Sequence, residues 1–370
     1  MKIAFFGSSL VSAYWNGAAT YYRGLLRALA CEGEGYDIAF YEPDAFDRQQ
    51  HRDIPDPDWA SVHVYSAGDL TEVDRCLHDA ASSADVVVKA SGVGVFDAYL
   101  ENRIGRLEGP LVRLFWDVDA PATLARLETD PSDPFHSVLS SYDLVFTYGG
   151  GDPVVSKYRA MGARECIPIY NAFDPDTHFP VPPENRFRAD LTFLGNRLPD
   201  REARVNEFFF NAAEPLPNHS FLLGGSGWAD RSMPRNVRYL GHVYTADHNA
   251  LNASCRAVLN ISRESMAQCG FSPATRVFEA AAASACLITD AWEGLELFLR
   301  PGTEVLRASS GRQVAEILQS LTPDRARAIG ASARRRVLAD HTYNSRARQV
   351  SDVLNSLAAQ AREAALQVHA

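Results

Sequence analysis

The chain has no C-x-x-C pair. Its six cysteines, Cys31, Cys76, Cys166, Cys255, Cys269 and Cys286, are scattered, which favours free thiols in a reducing cytosol over a disulfide framework or a zinc site. No run approaches the ~20 apolar residues needed to span a bilayer. The opening MKIAFFGSS has one lysine and too short an apolar run for a signal peptide. A cytoplasmic protein without a transmembrane segment is expected. Excess positive charge is missing as well: the net charge is −10, which argues against a nucleic-acid partner or an anionic membrane. Local basic loops can still hold a small anion. There is no internal sequence repeat and no low-complexity tail. What is present is ordinary globular material, 370 residues at 46% hydrophobic and 22% charged, enough for two domains with sizeable cores.

Short apolar strands alternate with helical stretches from the start. Ile3 to Phe6 reads as a strand ending in Gly7-Ser8-Ser9. A polar loop follows, then a helix from about Ala18 to Ala30, with Tyr22, Leu25, Leu26 and Leu29 at helical spacing, and a strand from Tyr36 to Tyr41. The pattern continues with a helix at Val73 to Ala81 and strands at Asp85 to Lys89 and Leu111 to Trp116. Next come a helix near Pro134 to Leu139, a strand at Asp143 to Thr147, a helix near Val154 to Met161 and a strand at Glu165 to Ile169. Such alternation predicts a parallel sheet covered on both faces, with ligands beyond the carboxyl ends of its strands. Polar or glycine-rich residues sit at those ends: Gly7-Ser8-Ser9, Ser91-Gly92-Val93-Gly94, Asp117-Val118-Asp119 and Tyr148-Gly149-Gly150-Gly151-Asp152. Gly92-x-Gly94 falls short of a dinucleotide fingerprint, because Asp97 stands where the third glycine belongs. Triple glycine after a strand can also be a plain turn.

Between Tyr170 and Arg188 the pattern breaks into proline-rich, polar sequence, which predicts a linker. His178 within it could touch a ligand or simply be solvated. A second β-α series begins with a strand at Asp190 to Leu194 and the turn Gly195-Asn196-Arg197. Arg197 and Arg201, ahead of an amphipathic helix, suit a diphosphate clamp, since guanidinium groups bind phosphate oxygens in a forked geometry. Strands at Ser220 to Leu223, Val237 to Leu240 and Ala257 to Ile261 follow, with a helix at Ala246 to Ala253. Ser262 and Arg263 stand at the last strand's end. From Thr322 onward the chain reads as helix, with Thr322-Pro323 as the start signal.

The densest chemistry lies from Cys269 to Asp290, CGFSPATRVFEAAAASACLITD. Ser272 is a candidate N-cap and Pro273 suits the first helical position. Ala274, Thr275 and Arg276 complete a first turn whose free N–H groups favour an anion by about 0.3–1 kcal/mol when exposed, and up to about 2 kcal/mol when partly buried. Glu279 shares the face of Arg276, so the two could equally form a plain surface ion pair. A buried strand, Cys286 to Thr289, follows. Trp292 beyond it could stack on a base or sugar, or be a packed indole.

This segment resembles the donor half of GT-B glycosyltransferases, in which a strand, a polar loop and a helix bearing a Glu follow one another. Within that fold, Arg276-Val277-Phe278-Glu279 is most similar to the CgeB-like spore-maturation branch. The linker also matches, with Asp174-Pro175 ahead of His178. The resemblance implies a two-domain α/β fold of parallel Rossmann-like sheets: an acceptor domain at 1–172, a linker at 173–189, a donor domain at 190–342, and a last helix at 343–370 crossing back to the first domain. It implies glycosyl transfer from a nucleotide-diphosphate sugar to an unidentified acceptor. Glu279 would hold the ribose, and the diphosphate would rest on Gly195, Asn196, Arg197, Arg201, Arg263 and the Ser272-to-Arg276 helix start. The acceptor would lie near Gly7, Ser8, Ser9, Gly149 and Gly150, with Asp117 and Asp119 as the catalytic candidates, a pair that could instead have an acceptor-side or structural role. Cofactor and metal are expected to be absent, because GT-B enzymes steady the leaving diphosphate with arginines and helix dipoles; Asp117-x-Asp119 lacks the companion ligands of the metal-using GT-A plan. One position departs from the pattern. Many retaining members carry a second Glu eight residues before Glu279, and here it is Phe271. A nucleotide-sugar epimerase and a non-catalytic nucleotide-sugar-binding protein therefore stay open beside the transferase.

Overall fold

A computed structural model describes residues 1–12, 18–31 and 35–368, with side chains to 359. Part of the polar loop expected after Ser9, residues 13–17, lies outside the described residues. The chain divides into two compact units, Met1–Tyr170 with Tyr343–Ala370, and Asn171–Thr342.

The first unit carries β1 (Lys2–Phe6), α1 (Ala19–Cys31), β2 (Asp37–Asp44), β3 (Ala60–Ser66), α2 (Leu70–Ser83), β4 (Val86–Ala90), α3 (Asp97–Gly105), β5 (Val112–Asp117), α4 (Ala120–Thr129), α5 (Phe135–Val138), β6 (Leu144–Thr147), α6 (Gly151–Ala160) and β7 (Cys166–Pro168). Its seven strands are all parallel, in the order β3-β2-β1-β4-β5-β6-β7. The inner strands are near-continuous apolar runs because helices cover both faces; Val86 to Val88 are at most 1% exposed. The periodicity passed over β3, an edge strand whose Ser61, His63 and Val64 face solvent, and also α3 and α4, which begin directly at strand-end loops.

The second unit carries β8 (Ala189–Leu194), α7 (Pro199–Val205), a π turn (Asn206–Phe210) leading into α8 (Asn211–Ala213), β9 (Phe221–Gly224), β10 (Val237–Gly241), α9 (Thr245–Ser254), β11 (Cys255–Asn260), α10 (Glu264–Cys269), α11 (Thr275–Ala282), β12 (Leu287–Asp290), β13 (Leu306–Ala308), α12 (Gly311–Ser320) and α13 (Pro323–Asp340). Its six parallel strands run β10-β9-β8-β11-β12-β13. Counted within the unit this is 3-2-1-4-5-6, the doubly wound order. The core beneath it is built from Phe193, Phe209, Phe221, Leu259, Ile288 and their neighbours. Thr322 caps α13 by accepting from the Arg325 amide. The proline-rich stretch before β8 is part of this compact unit, and Phe187 within it is 5% exposed.

The last helix, α14 (Tyr343–Val368), returns to the first unit and packs on α1. Gly24 makes that approach possible. A Cβ there would lie 2.0 Å from the Tyr343 ring. No helix among the described residues is long and apolar enough to cross a membrane.

Candidate functional site

In the second unit β8 pairs with β11 in register Leu191 to Ala257 and Phe193 to Leu259. These are its first and fourth strands, so the strand order reverses between them and the loops leaving their carboxyl ends diverge. A crevice opens at such a point. The loop after β8 starts with Gly195, and both flanking arginines that count come to its backbone. A Cβ on Gly195 would stand 3.0 Å from the Arg201 guanidinium and 3.5 Å from that of Arg276. Arg276 reaches there from α11. Its guanidinium lies 5.3 Å from the centre of the Phe193 ring and donates to Asn260 Oδ1 at 3.3 Å, at the end of β11. Burial first, and the Arg201 cation second, draw its pKa down to about 10, with Glu279 and Asp290 opposing. It stays protonated at neutral pH. Two cations side by side, with the half-buried Arg276 held by a neutral amide and a ring face, make a place for an anion.

The other arginines of the expected clamp are engaged elsewhere. Arg197 pairs with Glu202 at 2.6 Å and Asp230 at 2.9 Å, above Trp228, and the two carboxylates hold its pKa up. Arg263 pairs with Asp200 at 3.0 Å at the start of α10. Asn196 accepts from the Ser226 amide at 2.9 Å, tying two loops together. Gly225 permits that tie: its φ is +115° and a Cβ would fall 2.3 Å from the Gly195 carbonyl oxygen.

Helix α11 starts two residues later than its sequence suggests. Ala274, not Ser272, is the N-cap, and no side chain caps the first turn. The Ser272 hydroxyl donates back to the Gly270 carbonyl at 2.8 Å, and Pro273 offers its carbonyl to Asn171 Nδ2 at 3.0 Å. The Thr275 and Arg276 amides thus open the helix without a side-chain cap, while the Val277 amide donates to the Ala274 carbonyl at 2.9 Å. Phe271 has φ +46°, rare for a bulky residue, and lies against Gly294, where a Cβ would come within 2.2 Å of its ring. Trp292 is a packed indole, 7% exposed, with Nε1 3.3 Å from Thr289 Oγ1.

Arg276 and Glu279 form no ion pair with each other among the described residues. Glu279 Oε1 is instead 3.6 Å from Nε2 of His178. That histidine is 7% exposed, not solvated, because the turn at Asp174 folds its ring inward: the Thr177 and His178 amides both donate to the Asp174 carbonyl. His248, on α9, joins them, and burial lowers its pKa and keeps it neutral at pH 7. Sequence reasoning passed over His248, Asn260 and Phe193. Asn260 had a signal, a polar residue ending a buried strand; a single histidine on a helix had none.

In the first unit the candidate residues stand at the carboxyl ends of β1, β5 and β6. Asp117 corrects its expected part. It is fully buried and accepts from Ser91 at 2.7 Å, Thr123 at 3.1 Å, the Asp119 amide at 2.9 Å and Tyr158 at 2.5 Å. A carboxylate so enclosed ties three elements together and presents no face to a substrate. Asp119 is half-buried at the start of α4. Gly7, Ser8, Ser9, Gly149 and Gly150 are buried; Ser9 donates to Glu42 at 3.3 Å, and Gly150 opens α6 at φ +88°. The Gly92-x-Gly94 loop is filled by its own Asp97, which accepts from the Val93 and Gly94 amides and from Lys89.

Residues 201–352 match the model of a family described as glycosyl transferase-like, a span that holds Arg201, Arg276 and Glu279. No curated protein matches the chain in sequence. Solved structures align over nearly its whole length. Sucrose-phosphate synthase from Thermosynechococcus elongatus has a TM-score of 0.70 at 15% identity, covering 97% of this chain and 100% of its own. Anabaena HepE in complex with UDP and glucose has a TM-score of 0.68 at 13% identity, covering 96% and 100%. A glycosyltransferase from Rickettsia africae has a TM-score of 0.63 at 12% identity, covering 96% and 98%. The fold is GT-B. In this chain of GT-B fold the β8–β11 switch point brings Arg201 and Arg276 to the same strand-end loop.

Proposed function

We propose that the chain is a glycosyltransferase that takes its sugar from a nucleoside-diphosphate donor. The observation that carries this reading is the convergence of Arg201 and Arg276 on the Gly195 backbone. The diphosphate is held by these two cations and by the open amides at the start of α11, and Glu279 accepts from the ribose hydroxyls. The difficult step is departure of the nucleoside diphosphate, whose growing charge needs fixed positive groups. Both arginines are in place before that charge develops. Turnover then needs no metal and persists in EDTA. The structural neighbour that carries UDP and glucose supports a donor of this kind. The acceptor is assigned to the first unit, near Asp119, Gly149 and Gly150. The Arg276-Val277-Phe278-Glu279 helix start supports the CgeB-like branch. With Phe271 in place of a carboxylate, a nucleotide-sugar epimerase or a binding protein is the second reading. A radiolabelled sugar-nucleotide panel, with and without cell extract, separates the three. A transferase labels an acceptor, an epimerase interconverts donors, and a binder does neither.

Glu279→Gln tests the ribose assignment. The variant is expected to bind UDP more weakly while inorganic pyrophosphate binding changes little. Unchanged UDP affinity would remove ribose from Glu279.

A further inference from the structure

His178, His248 and Glu279 come from three separate places in the second unit, and one ligand-type atom from each lies within 4.8 Å of the others. The grouping is held from outside. The Asn249 side chain, next to His248, donates to the Thr177 carbonyl at 2.8 Å and so ties α9 to the turn that carries His178. Each imidazole is also oriented by an oxygen: His178 Nδ1 is 2.9 Å from the Thr177 hydroxyl, and His248 Nε2 is 3.3 Å from the Val243 carbonyl. Metal-binding histidines are oriented in this way by a second hydrogen bond. His178 Nε2 is buried with no hydrogen-bond partner and points at Glu279. A buried nitrogen left without a partner costs free energy, and a cation held jointly with the carboxylate would remove that cost.

We propose that these three side chains form a site for a zinc-class divalent ion. Two imidazoles and one carboxylate suit Zn²⁺ or Co²⁺, with a fourth position open to water. Bonds of ~2.0–2.2 Å put tetrahedral ligand atoms roughly 3.3 Å apart, so ligand atoms that now lie within 4.8 Å of one another close by at most about 1.5 Å around the ion. The ion takes the Glu279 lone pairs that the ribose would use. Resting on the ribose assignment of the proposed function, zinc is therefore a competitive inhibitor of donor binding, not an agent of turnover.

The test uses full-length protein stripped with EDTA. Titration with Zn²⁺ alone is expected to show one ion per chain. Co²⁺ is expected to give the intense visible bands of a four-coordinate site, a readout that needs no variant. His178→Ala and His248→Ala, each checked for an unchanged melting temperature without metal, should weaken Zn²⁺ binding at least tenfold. No stoichiometric binding to the wild type, or binding that survives both substitutions, overturns the site. UDP affinity is then measured with one equivalent of Zn²⁺, with His178→Ala correcting for zinc held by UDP itself. A tenfold or greater loss in the wild type alone supports the competition. Zinc bound at the triad with UDP affinity unchanged overturns the competition and the ribose assignment, and leaves the metal site standing.

Discussion

Arg276 and Arg197 flank the same strand-end loop, yet their surroundings differ in kind. Arg197 has two carboxylates within 3 Å; Arg276 has an amide oxygen and the face of Phe193. A cation already met by carboxylates has little left for a phosphate. Arg201→Ala and Arg276→Ala are therefore each expected to weaken UDP binding by about 1.5–3 kcal/mol, the value of a hydrogen bond to a charged group, or roughly ten- to a hundredfold. Arg197→Ala should leave it nearly unchanged. Calorimetry on the three variants checks the order. If Arg197→Ala is the most damaging, the clamp has been drawn on the wrong residues. Asp117 gives a second residue-scale prediction. Asp117→Asn sets an amide N–H₂ against groups that all donate, so it should destabilise the fold by about 1–3 kcal/mol. Turnover per folded molecule should hold. A large fall in kcat with the melting temperature unchanged would return Asp117 to catalysis.

Elements meet closely where glycine lets them. Gly330 lies in the middle of α13, and a Cβ on it would stand 2.0 Å from the Ser284 carbonyl oxygen at the end of α11. Helix propensity alone predicts that Gly330→Ala stabilises by about 0.8–1 kcal/mol. Backbone cannot yield as a flexible side chain can, so the overpacking cost of typically 1–3 kcal/mol should win. Chemical denaturation is expected to show a net loss, and a gain would mean that α13 slides freely on α11. Because α11 carries Arg276 and Glu279, the same variant should also weaken UDP binding. The late start of α11 shows how local signals mislead: Ser272-Pro273 is a good opening on paper, but the Ser272 hydroxyl donates to the Gly270 carbonyl and the chain is still extended at Ala274.

At the scale of the molecule, the first unit is assembled from both ends of the chain. In α14, Tyr343 fills the hollow over Gly24, Arg346 Nε donates to the Tyr170 carbonyl, and Ser351 meets the Tyr36 hydroxyl at 2.6 Å. Val350 and Leu354 are buried, at 0% and 2% exposure. Burial of each such side chain is worth about 1.5–3 kcal/mol. A chain ending at Thr342 should therefore lose several kcal/mol from the first unit and expose α1 to proteolysis. A truncated protein that resists protease as the full chain does would contradict this. Ligand linkage gives a companion measurement: UDP at a hundred times its Kd should stabilise the full chain by about 2.7 kcal/mol, seen as a rise in melting temperature. The sequence by itself determined the kind of elements, the two parallel β-α series and the helix bearing Arg276 and Glu279. Local periodicity and turn residues are enough for that. Only the tertiary structure decided that Arg201 and not Arg197 meets Arg276, that Asp117 is an internal tie, and that His178 and His248 close on Glu279. Those partners are brought together by strand crossovers and helix packing over tens of residues, and neither spacing nor composition ranks one arginine or histidine above another until the chain has folded.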